Sequence, residues 1–335
     1  MRKTKLTQAF PTDIIVSERE GFRRIPLFVL EVTGMMYIGA VIIAAGCGSA
    51  PMLPAGGISV AQRMVAAFQK AGVDLIALVT GPEDKKLEKQ LAQPGLVFLH
   101  NETPEDRLAS RRLGLEYLRG KCQRIFLTPA DRPLIAPETV SEMLEAAGDV
   151  IIPTCEGAPG QPILLSGAGI DCFEAQSEDR LCVPVLHRNG LVVDYISVED
   201  PGILLSAEAG CSQTEALSEH DRKLTRPVLE FAVSRGRNLL DRKLMVLLYL
   251  IRDTQSVRDA CSRMQISYST AWNMLNAAEN ELGYPLLLRN KGGPSGTGSL
   301  LTRKGQALLN AYEQFESAAK MNMEKLYDTY LRDLL

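Results

Sequence analysis

The sequence lacks an uninterrupted apolar run of about 20 residues, the length that a membrane-spanning helix requires. Its most apolar stretch, residues 25–46, is interrupted by Glu31 and by several glycines. We therefore exclude a transmembrane helix and a signal peptide there. The chain is expected to be cytoplasmic and to have no membrane partner.

Cysteine and histidine are also scarce. The seven cysteines are scattered and form no Cys-x-x-Cys pair, a pattern typical of reduced cytosolic thiols rather than of a disulfide framework. The three histidines, His100, His187 and His220, show no metal-ligand spacing, and we interpret them as ordinary surface or loop residues. A formal net charge of −3 excludes a polycationic chain, so any nucleic-acid site must be a local patch.

Strand and helix patterns alternate over the first part of the chain. Residues 38–45 (IGAVIIAA) form a continuous apolar run, typical of a strand that is buried on both faces of a parallel sheet. Helical and strand patterns then alternate to about residue 205. The sequence therefore predicts an α/β domain with a doubly wound, Rossmann-like, mostly parallel sheet.

A chain of 335 residues suggests two domains. Residues 206–225 are small and polar and have no clear period, which is typical of a linker. After them the pattern is nearly all helical. The predicted segments are an N-terminal extension, poorly ordered, over 1–36, the α/β domain over 37–205, a linker over 206–236 and a mainly α-helical winged helix-turn-helix domain with a long C-terminal helix over 237–335.

The last domain contains two short helices, predicted over Ser256–Met264 and Tyr268–Leu282, that are joined by a tight connector. This is the arrangement of a helix-turn-helix. The second helix would enter the major groove of double-stranded DNA with its N-terminal side chains on base edges. The residues assigned to this contact are Ser267, Tyr268, Ser269, Thr270 and Asn273.

A Gly-rich segment, residues 291–299, separates two short apolar segments and predicts a wing. No acidic residue lies between Glu281 and Glu313. The cations in that interval suit DNA phosphates, and such contacts weaken as salt rises; a solvated basic loop is the alternative. The cations assigned to DNA are Arg289, Lys291, Arg303 and Lys304.

The final helix, predicted over 303–334, carries an apolar stripe that includes Leu309, Tyr312 and Leu326. Such a stripe is usually a packing face. Here it could also pair two protomers, and a homodimer suits two-fold operator sites.

Residues 266–316 resemble the DNA-binding domain of the molybdate-responsive ModE-type regulators, a branch of the LysR-type winged helices. The motifs that carry the resemblance are ISYSTAW, the wing GGPSGTG and LTRKGQALLNAY. The resemblance implies a molybdenum-linked transcription regulator. Those regulators sense molybdate with C-terminal oxyanion-binding domains, and because this sequence ends after the helix, we expect no molybdate sensing.

A Gly-rich turn, AAGCGS (residues 44–49), follows the first strand of the α/β domain. Its glycines let backbone N–H groups approach a phosphate or a base; a plain glycine turn is the alternative. Asp131 follows a later strand, at the sheet edge where ligands gather. A carboxylate there can hold Mg²⁺ against a triphosphate; the alternative is a turn or helix-capping carboxylate.

This domain resembles the MobA/MocA-type nucleotidyltransferases of molybdenum-cofactor maturation, which join a nucleoside triphosphate to molybdopterin and release pyrophosphate. The motifs that occur in the family's order are LPAGG (53–57), VTG (79–81), ADRPL (130–134), GQP (160–162) and DPGIL (200–204). The resemblance implies that Asp131 is the catalytic and Mg²⁺-binding residue. The residues assigned to the nucleotide are Ala44, Ala45, Gly46, Cys47, Gly48 and Ser49.

Three departures from the family argue against catalysis. The family's turn continues through Arg-Met-Gly to a Lys, and GSAPMLP (48–54) has neither cation, which should cost orders of magnitude in rate. Gln161 replaces a usual His. The acidic segment expected after DPGIL is replaced by SAEAG (206–210), so a second metal carboxylate is predicted to be missing. Arg107, Arg132 and Gln161 are the candidate substrate-binding residues, with the two arginines in place of the lost cations.

Three functions are compatible with these patterns. The first is a transcription regulator whose nucleotidyltransferase-like domain has lost catalysis and binds a nucleotide or a molybdopterin-type ligand. The second is a bifunctional protein that still transfers a nucleotide to molybdopterin. The third is a regulator whose first domain is only an oligomerisation or docking scaffold. The missing cations favour the first over the second, and the Gly-rich turn with Asp131 argues against the third.

Overall fold

The computed structural model describes residues 13–18, 21–26, 37–73, 75–91, 96–175, 183–228, 231–235, 238–288, 299–331 and 334. Its contacts divide the chain into two compact units, residues 1–36 and 37–335. In the first unit, strands β1 (Asp13–Glu18) and β2 (Gly21–Pro26) pair antiparallel. The sequence analysis predicted no strand in this segment, although the β-branched run Ile14–Val16 favours one.

The second unit begins with an α/β domain. Its elements, in chain order, are β3 (Tyr37–Ile43), β4 (Pro54–Ala55), β5 (Ile58–Ser59), α1 (Val60–Lys70), β6 (Leu75–Thr80), α2 (Lys85–Leu91), β7 (Leu96–His100), α3 (Arg107–Leu118), β8 (Cys122–Pro129), α4 (Pro137–Glu145), β9 (Val150–Cys155), β10 (Ala158–Pro159), β11 (Ile163–Ser166), α5 (Gly167–Ala175), α6 (Val183–Arg188) and β12 (Val193–Ser197).

The central sheet has eight strands in the order β10-β9-β11-β8-β3-β6-β7, with β12 paired to β9. Strands β3, β6, β7 and β8 are mutually parallel, β12 is parallel to β9, and β11 is antiparallel to both of its neighbours. The doubly wound, mostly parallel fold is therefore confirmed. Because β3 and β8 are adjacent and parallel, with Ile43 opposite Pro129, the segments that follow them meet at one edge of the sheet.

The central strand β3 is buried on both faces, as its continuous apolar run predicts. Val41 belongs to the apolar layer under α3 and α5, whereas Ala40 and Ile42 belong to the layer under α1 and α4. Helix α1 begins after Ser59, whose side chain and that of Gln62 form a reciprocal capping box. The end of β3 at Ile43 therefore fixes where the Gly-rich turn starts.

The segment predicted as a linker contains two helices, α7 (Ala207–Cys211) and α8 (Thr214–Leu224). The linker prediction is wrong for these residues, because a few apolar contacts and one buried polar cluster anchor helices whose sequence pattern is weak. Ala207 and Leu217 are buried in the layer that covers α1.

The buried polar cluster is centred on Arg63 of α1, which is fully buried. Its guanidinium donates to the carbonyl oxygen of Ala55 from Nε (3.2 Å) and from Nη2 (2.7 Å), and Nη2 lies 2.7 Å from Asp221 Oδ1 on α8. Its Nη1 atom lies 3.4 Å from the carbonyl oxygen of Leu217 and 3.1 Å from His220 Nδ1. One arginine therefore holds α8 against α1.

His220 is buried as a neutral imidazole. Its Nε2 lies 2.8 Å from the carbonyl oxygen of Ile135, which can only accept, so Nε2 carries the proton and Nδ1 faces the Arg63 guanidinium as an acceptor. Burial, and then the charge of Arg63, lower the pKa of His220 below 6.5. The prediction of an ordinary surface or loop histidine is wrong here.

Acid should therefore weaken the fold through His220. The pKa of His220 is lowered in the folded chain, so the unfolded chain binds the proton more readily. The contribution of His220 to the free energy of unfolding is therefore complete above about pH 6.5 and is lost as pH falls through the folded pKa. The pKa of His100, raised mainly by its hydrogen bond to Glu88, acts in the opposite direction. We expect urea unfolding between about pH 5 and 8 to show a smaller acid-side loss of stability in His220→Gln than in the native chain. An unchanged acid-side loss would contradict this assignment.

The second unit ends with a mainly α-helical domain. Its elements are β13 (Ala232–Ser234), β14 (Asn238–Asp241), α9 (Arg242–Thr254), α10 (Val257–Met264), α11 (Tyr268–Leu282), β15 (Leu287–Leu288), β16 (Leu300–Leu301) and α12 (Arg303–Tyr330). Strands β15 and β16 pair antiparallel as the sides of a wing. Among the described residues, no helix combines the length and apolar character needed to cross a bilayer.

Local capping interactions fix the helix-turn-helix. The side chain of Ser256 accepts from the N–H of Asp259 (3.1 Å), and that of Ser267 accepts from the N–H of Thr270 (3.1 Å), so each helix begins at a serine cap. Gln265 adopts a left-handed conformation (φ 54°) that ends α10. The connector between the two helices is therefore as short as the sequence predicted.

Candidate functional site

A cavity of about 700 Å³ opens where β3 and β8 end. One part of its wall is apolar and includes Leu127, Ile152, Ile163 and Phe173. The charged side chains of the wall are Arg107, Arg111, Asp131, Arg132 and Glu208, and Gln161 is among its neutral polar side chains. A cavity of this size with a few convergent polar groups is typical of a small-molecule site, and it brings together every residue that the sequence assigned to catalysis or substrate.

The Gly-rich turn forms one side of this cavity through Ala45, Gly46 and Cys47. Gly46 has φ 78°, and a Cβ at this position would lie 2.6 Å from the carbonyl oxygen of Pro104. Only glycine fits there, because both the backbone conformation and the neighbouring backbone exclude a side chain.

The N–H groups of the turn divide into two sets. Those of Ala44 and Ala45 donate to the carbonyl oxygen of Val79, and that of Cys47 donates to Ala44. Among the described residues, the N–H groups of Gly46, Gly48 and Ser49 have no protein acceptor. Of the six residues assigned to the nucleotide, these last three are the ones whose backbone can donate to a bound anion, and Ala44 instead packs in the core.

Cys47 is partly buried, and its thiol lies 3.3 Å from the carbonyl oxygen of Ile43. Burial raises the pKa of this thiol, with Asp131 contributing in the same direction and Arg107 opposing it. The thiol is therefore protonated at neutral pH and is a poor nucleophile.

Asp131 meets the requirements of a Mg²⁺ ligand. Its Oδ1 atom is buried and accepts no hydrogen bond from the described residues, and Arg132 Nε lies 3.2 Å away. Among the described residues, no group of three or more His, Cys, Asp or Glu side chains is placed to hold a metal ion. The arrangement fits Mg²⁺ that arrives with a nucleotide, since Mg²⁺ is usually held by one or two carboxylates together with phosphate oxygens.

Three arginines supply the cavity with positive charge. Arg107 and Arg111 lie one turn apart on α3, and Arg111 donates to the carbonyl oxygen of Phe173 (3.1 Å) and covers its ring. Arg132 donates to the carbonyl oxygen of Leu204 (2.9 Å). The sequence predicted Arg107 and Arg132 but missed Arg111, which the four-residue helical spacing from Arg107 could have indicated.

Two carboxylates, one within DPGIL and one after it, have different roles. Asp200 within this motif is buried, and it accepts from the N–H of Ala136 (2.9 Å), from Thr139 Oγ1 (2.7 Å) and from the N–H of Gly202 (2.9 Å), so its role is structural. Glu208 in SAEAG lines the cavity. A second carboxylate is therefore present at the cavity, contrary to the sequence prediction, because α7 returns the chain to the cavity mouth.

The predicted DNA-contacting residues occupy one exposed surface. Ser267, Tyr268, Ser269, Thr270 and Asn273 are all exposed at the N-terminal end of α11, whereas Trp272 is half-buried and Leu275 is buried. Arg303 and Lys304 are exposed at the start of α12. Arg289 and Lys291 lie outside the described residues.

Base-edge and phosphate contacts should respond differently to substitution. We expect Lys304→Ala to weaken binding about equally for all duplexes and to reduce the slope of log affinity against log salt by about one, whereas Asn273→Ala should relax base preference. Fluorescence anisotropy over a salt series, combined with selection from randomised duplexes, measures both quantities. Unchanged base preference in Asn273→Ala would contradict its assignment.

The long helix α12 has one buried and one exposed apolar surface. Leu309 and Tyr312 are buried against the domain core, whereas Phe315, Leu326 and Tyr330 are exposed. The stripe is thus a packing face in its first half. Pairing of two protomers through the exposed half stays a prediction.

Two family models match separate parts of the chain. The model described as the MobA-like NTP transferase domain matches residues 40–189. The model described as the bacterial regulatory helix-turn-helix protein, lysR family, matches residues 242–306. The two matches fall on the α/β domain and on the helix-turn-helix with its wing, in the order predicted from the sequence.

Curated relatives match the same two parts. The chain is 34% identical over 89 residues to the transcriptional regulator ModE of Haemophilus influenzae (27% of this chain, 35% of that protein). It is 34% identical over 73 residues to the molybdenum-pterin-binding protein MopB of Rhodobacter capsulatus (22% and 27%). It is 30% identical over 122 residues to the 2-C-methyl-D-erythritol 4-phosphate cytidylyltransferase of Roseobacter denitrificans (33% and 53%). The chain thus spans from about a quarter to about half of the length of these relatives.

Solved structures of nucleotidyltransferases are also similar. One from Methanothermobacter thermautotroptrophicus is 23% identical, with 56% of this chain and 99% of that chain covered and a TM-score of 0.47. The 4-diphosphocytidyl-2C-methyl-D-erythritol synthase of Anaerococcus prevotii is 15% identical, with 57% and 99% covered and a TM-score of 0.44.

Proposed function

We propose that this chain, which joins a MobA-like NTP transferase domain to a LysR-family helix-turn-helix domain, is a molybdenum-linked transcription regulator of the ModE type in its DNA-binding part. One observation carries the proposal: the five predicted base-contacting side chains are exposed together at the start of α11. The ModE and MopB relatives support the molybdenum link. Double-stranded DNA is the proposed macromolecular partner.

The cavity of the first domain is proposed to bind a nucleotide or a molybdopterin-type ligand. Gly46 in the cavity wall would donate its N–H group to its phosphates, together with the N–H groups of Gly48 and Ser49 that follow it in the turn, and Asp131, with Glu208 nearby in the wall, would hold Mg²⁺. Mg²⁺ would neutralise phosphate charge. The apolar wall, including Ile152 and Phe173, would contact the ring of the ligand.

We propose that the ligand is bound without turnover at ordinary enzymatic rates. The Gly-rich turn has no cation of its own, and Arg132 is engaged by Leu204 and Asp131. The presence of Arg107 and Arg132 in the cavity favours a second candidate, a bifunctional nucleotidyltransferase with a DNA-binding domain.

Two measurements test these alternatives. Calorimetric titration with CTP, GTP and ATP in the presence of Mg²⁺ should show binding of at least one nucleotide, which Asp131→Asn weakens. Incubation with that nucleotide and molybdopterin should release no pyrophosphate above a slow background. Release at enzymatic rates would establish the bifunctional alternative, and the absence of nucleotide or pterin binding would leave only the scaffold function.

A further inference from the structure

We propose that residues 100–121, here called the coupling segment, link the ligand cavity to the DNA-binding domain. The segment comprises the end of β7, the loop 101–106, α3 and the turn after α3. Its middle borders the cavity, and both of its ends contact the helix-turn-helix domain. The inference rests on the proposed function and specifies how ligand binding would regulate DNA binding.

The loop of the coupling segment is held against the cavity's Gly-rich turn. The carbonyl oxygen of Pro104 lies against Gly46, at a distance that leaves no room for a side chain, and the Pro104 ring lies against Gly81. Asn101 braces the loop, since its side chain donates to the carbonyl oxygens of Thr103 and Asp106. A ligand that moves the turn must therefore move the loop and the start of α3.

Helix α3 is a stiff connection between the cavity and the far end of the segment. Its first turns place Arg107 and Arg111 in the cavity wall. Gly114 packs directly on Val41 of β3, where a Cβ would lie 2.3 Å from Val41 Cγ1, so the helix cannot rotate freely on the sheet. A displacement at its N-terminus is therefore transmitted along the helix axis, as in other packed helices with discrete positions.

The far end of the segment is docked on the DNA-binding domain by polar contacts. Lys121 Nζ lies 3.2 Å from Asp253 Oδ2 on α9 and 3.4 Å from the centroid of the Tyr117 ring. The guanidinium of Arg263, on α10, lies 4.8 Å from the centroid of the same ring. Tyr117 is thus placed between one cation from each domain, and burial raises its pKa to about 12.

The near end of the segment, at His100, contacts helix α10 as well. Helix α10 packs along the edge strand β7, and Ser262 Oγ lies 3.5 Å from Nε2 of His100. One apolar core continues from Leu115 and Leu118 on α3 to Ile251 on α9 and Val257 on α10. Because α10 and α11 are joined by a short connector, a shift of α10 moves the recognition helix.

Coupling of this kind is reciprocal: if the cavity ligand changes the affinity for DNA, DNA must change the affinity of the cavity for that ligand by the same factor. In the proposed segment this requires DNA to shift the residues that border the cavity. DNA alone can therefore serve as the probe. We expect a mixed-sequence duplex at low salt to change amide hydrogen exchange over residues 104–111 of the full chain, in addition to protecting α11.

Variants at the docked end isolate the coupling segment. Lys121→Met and Asp253→Asn should each abolish the duplex-induced change over 104–111 while duplex binding persists. Lys121→Arg should keep the change, because an arginine can still pair with Asp253. Lys86→Met, which removes the same charge from an exposed position on α2, is the matched control and should behave as the native chain.

If the duplex changes amide hydrogen exchange only in the helix-turn-helix domain, the proposed coupling is wrong. Retention of the change in both Lys121→Met and Asp253→Asn would also overturn it. Failure of the proposed ligand function is a separate result: calorimetry would then show no nucleotide binding, while the duplex-induced change at the cavity would still be present.

Discussion

Replacing Arg63 with methionine is expected to lower the free energy of unfolding by about 3 kcal/mol, the upper end of the usual range for single substitutions, because it breaks a buried hydrogen-bond network. Arg63 is fully buried and satisfies the carbonyl oxygens of Ala55 and Leu217. Methionine fills much of the volume but donates to neither oxygen, and it leaves His220 Nδ1 without the guanidinium that faces it. Urea unfolding followed by circular dichroism measures the loss.

The control for this prediction is Arg222→Met, the same substitution at an exposed position of α8. It should change the free energy of unfolding by no more than about 0.5 kcal/mol. Equal effects of the two substitutions would show that Arg63 does not anchor α8. Such a result would also remove the explanation for the helices in the predicted linker.

Replacing Asp200 with asparagine is expected to lower the free energy of unfolding by about 2 kcal/mol, because it leaves a buried donor without an acceptor. The carboxylate accepts three hydrogen bonds, from Ala136, Thr139 and Gly202. An asparagine must turn its NH₂ group toward at least one of these donors. Thermal unfolding monitored by circular dichroism gives the difference from the native chain.

Asp131→Asn is the matched partner of this experiment, since the same chemical change is made at a cavity carboxylate whose Oδ1 accepts no hydrogen bond from the described residues. It should leave the unfolding transition within about 0.5 kcal/mol of the native chain and should weaken Mg²⁺-dependent nucleotide binding. If Asp131→Asn destabilised the fold and Asp200→Asn did not, the two roles would have to be exchanged.

Much of the fold could be predicted because the decisive signals are local. The apolar run of β3, the serine caps at Ser256 and Ser267, and Gly283 after α11 each act within a few residues. Cavity residues such as Asp131 could be predicted for a related reason. They follow parallel strands, and the carboxyl ends of such strands meet at one edge.

The errors fall where distant parts of the chain decide the structure. Arg63 has the pattern of a surface arginine on an amphipathic helix, and only α8 makes its burial possible. Glu208 was overlooked because it matches no family motif, although the return of α7 brings it to the cavity. Burial, and then the charge of Arg63, lower the pKa of His220, and both depend on distant parts of the chain. Such long-range polar contacts leave no periodic trace in a sequence.

The central claim is that occupancy of the cavity changes the affinity of the helix-turn-helix domain for DNA. The most direct test is the dissociation constant of the full chain for a labelled duplex, measured by fluorescence anisotropy at fixed salt with and without the Mg²⁺-nucleotide that calorimetry shows to bind. We predict a change of about fivefold or more, the lower range of typical coupling between sites. Equal dissociation constants with the nucleotide demonstrably bound would contradict the claim.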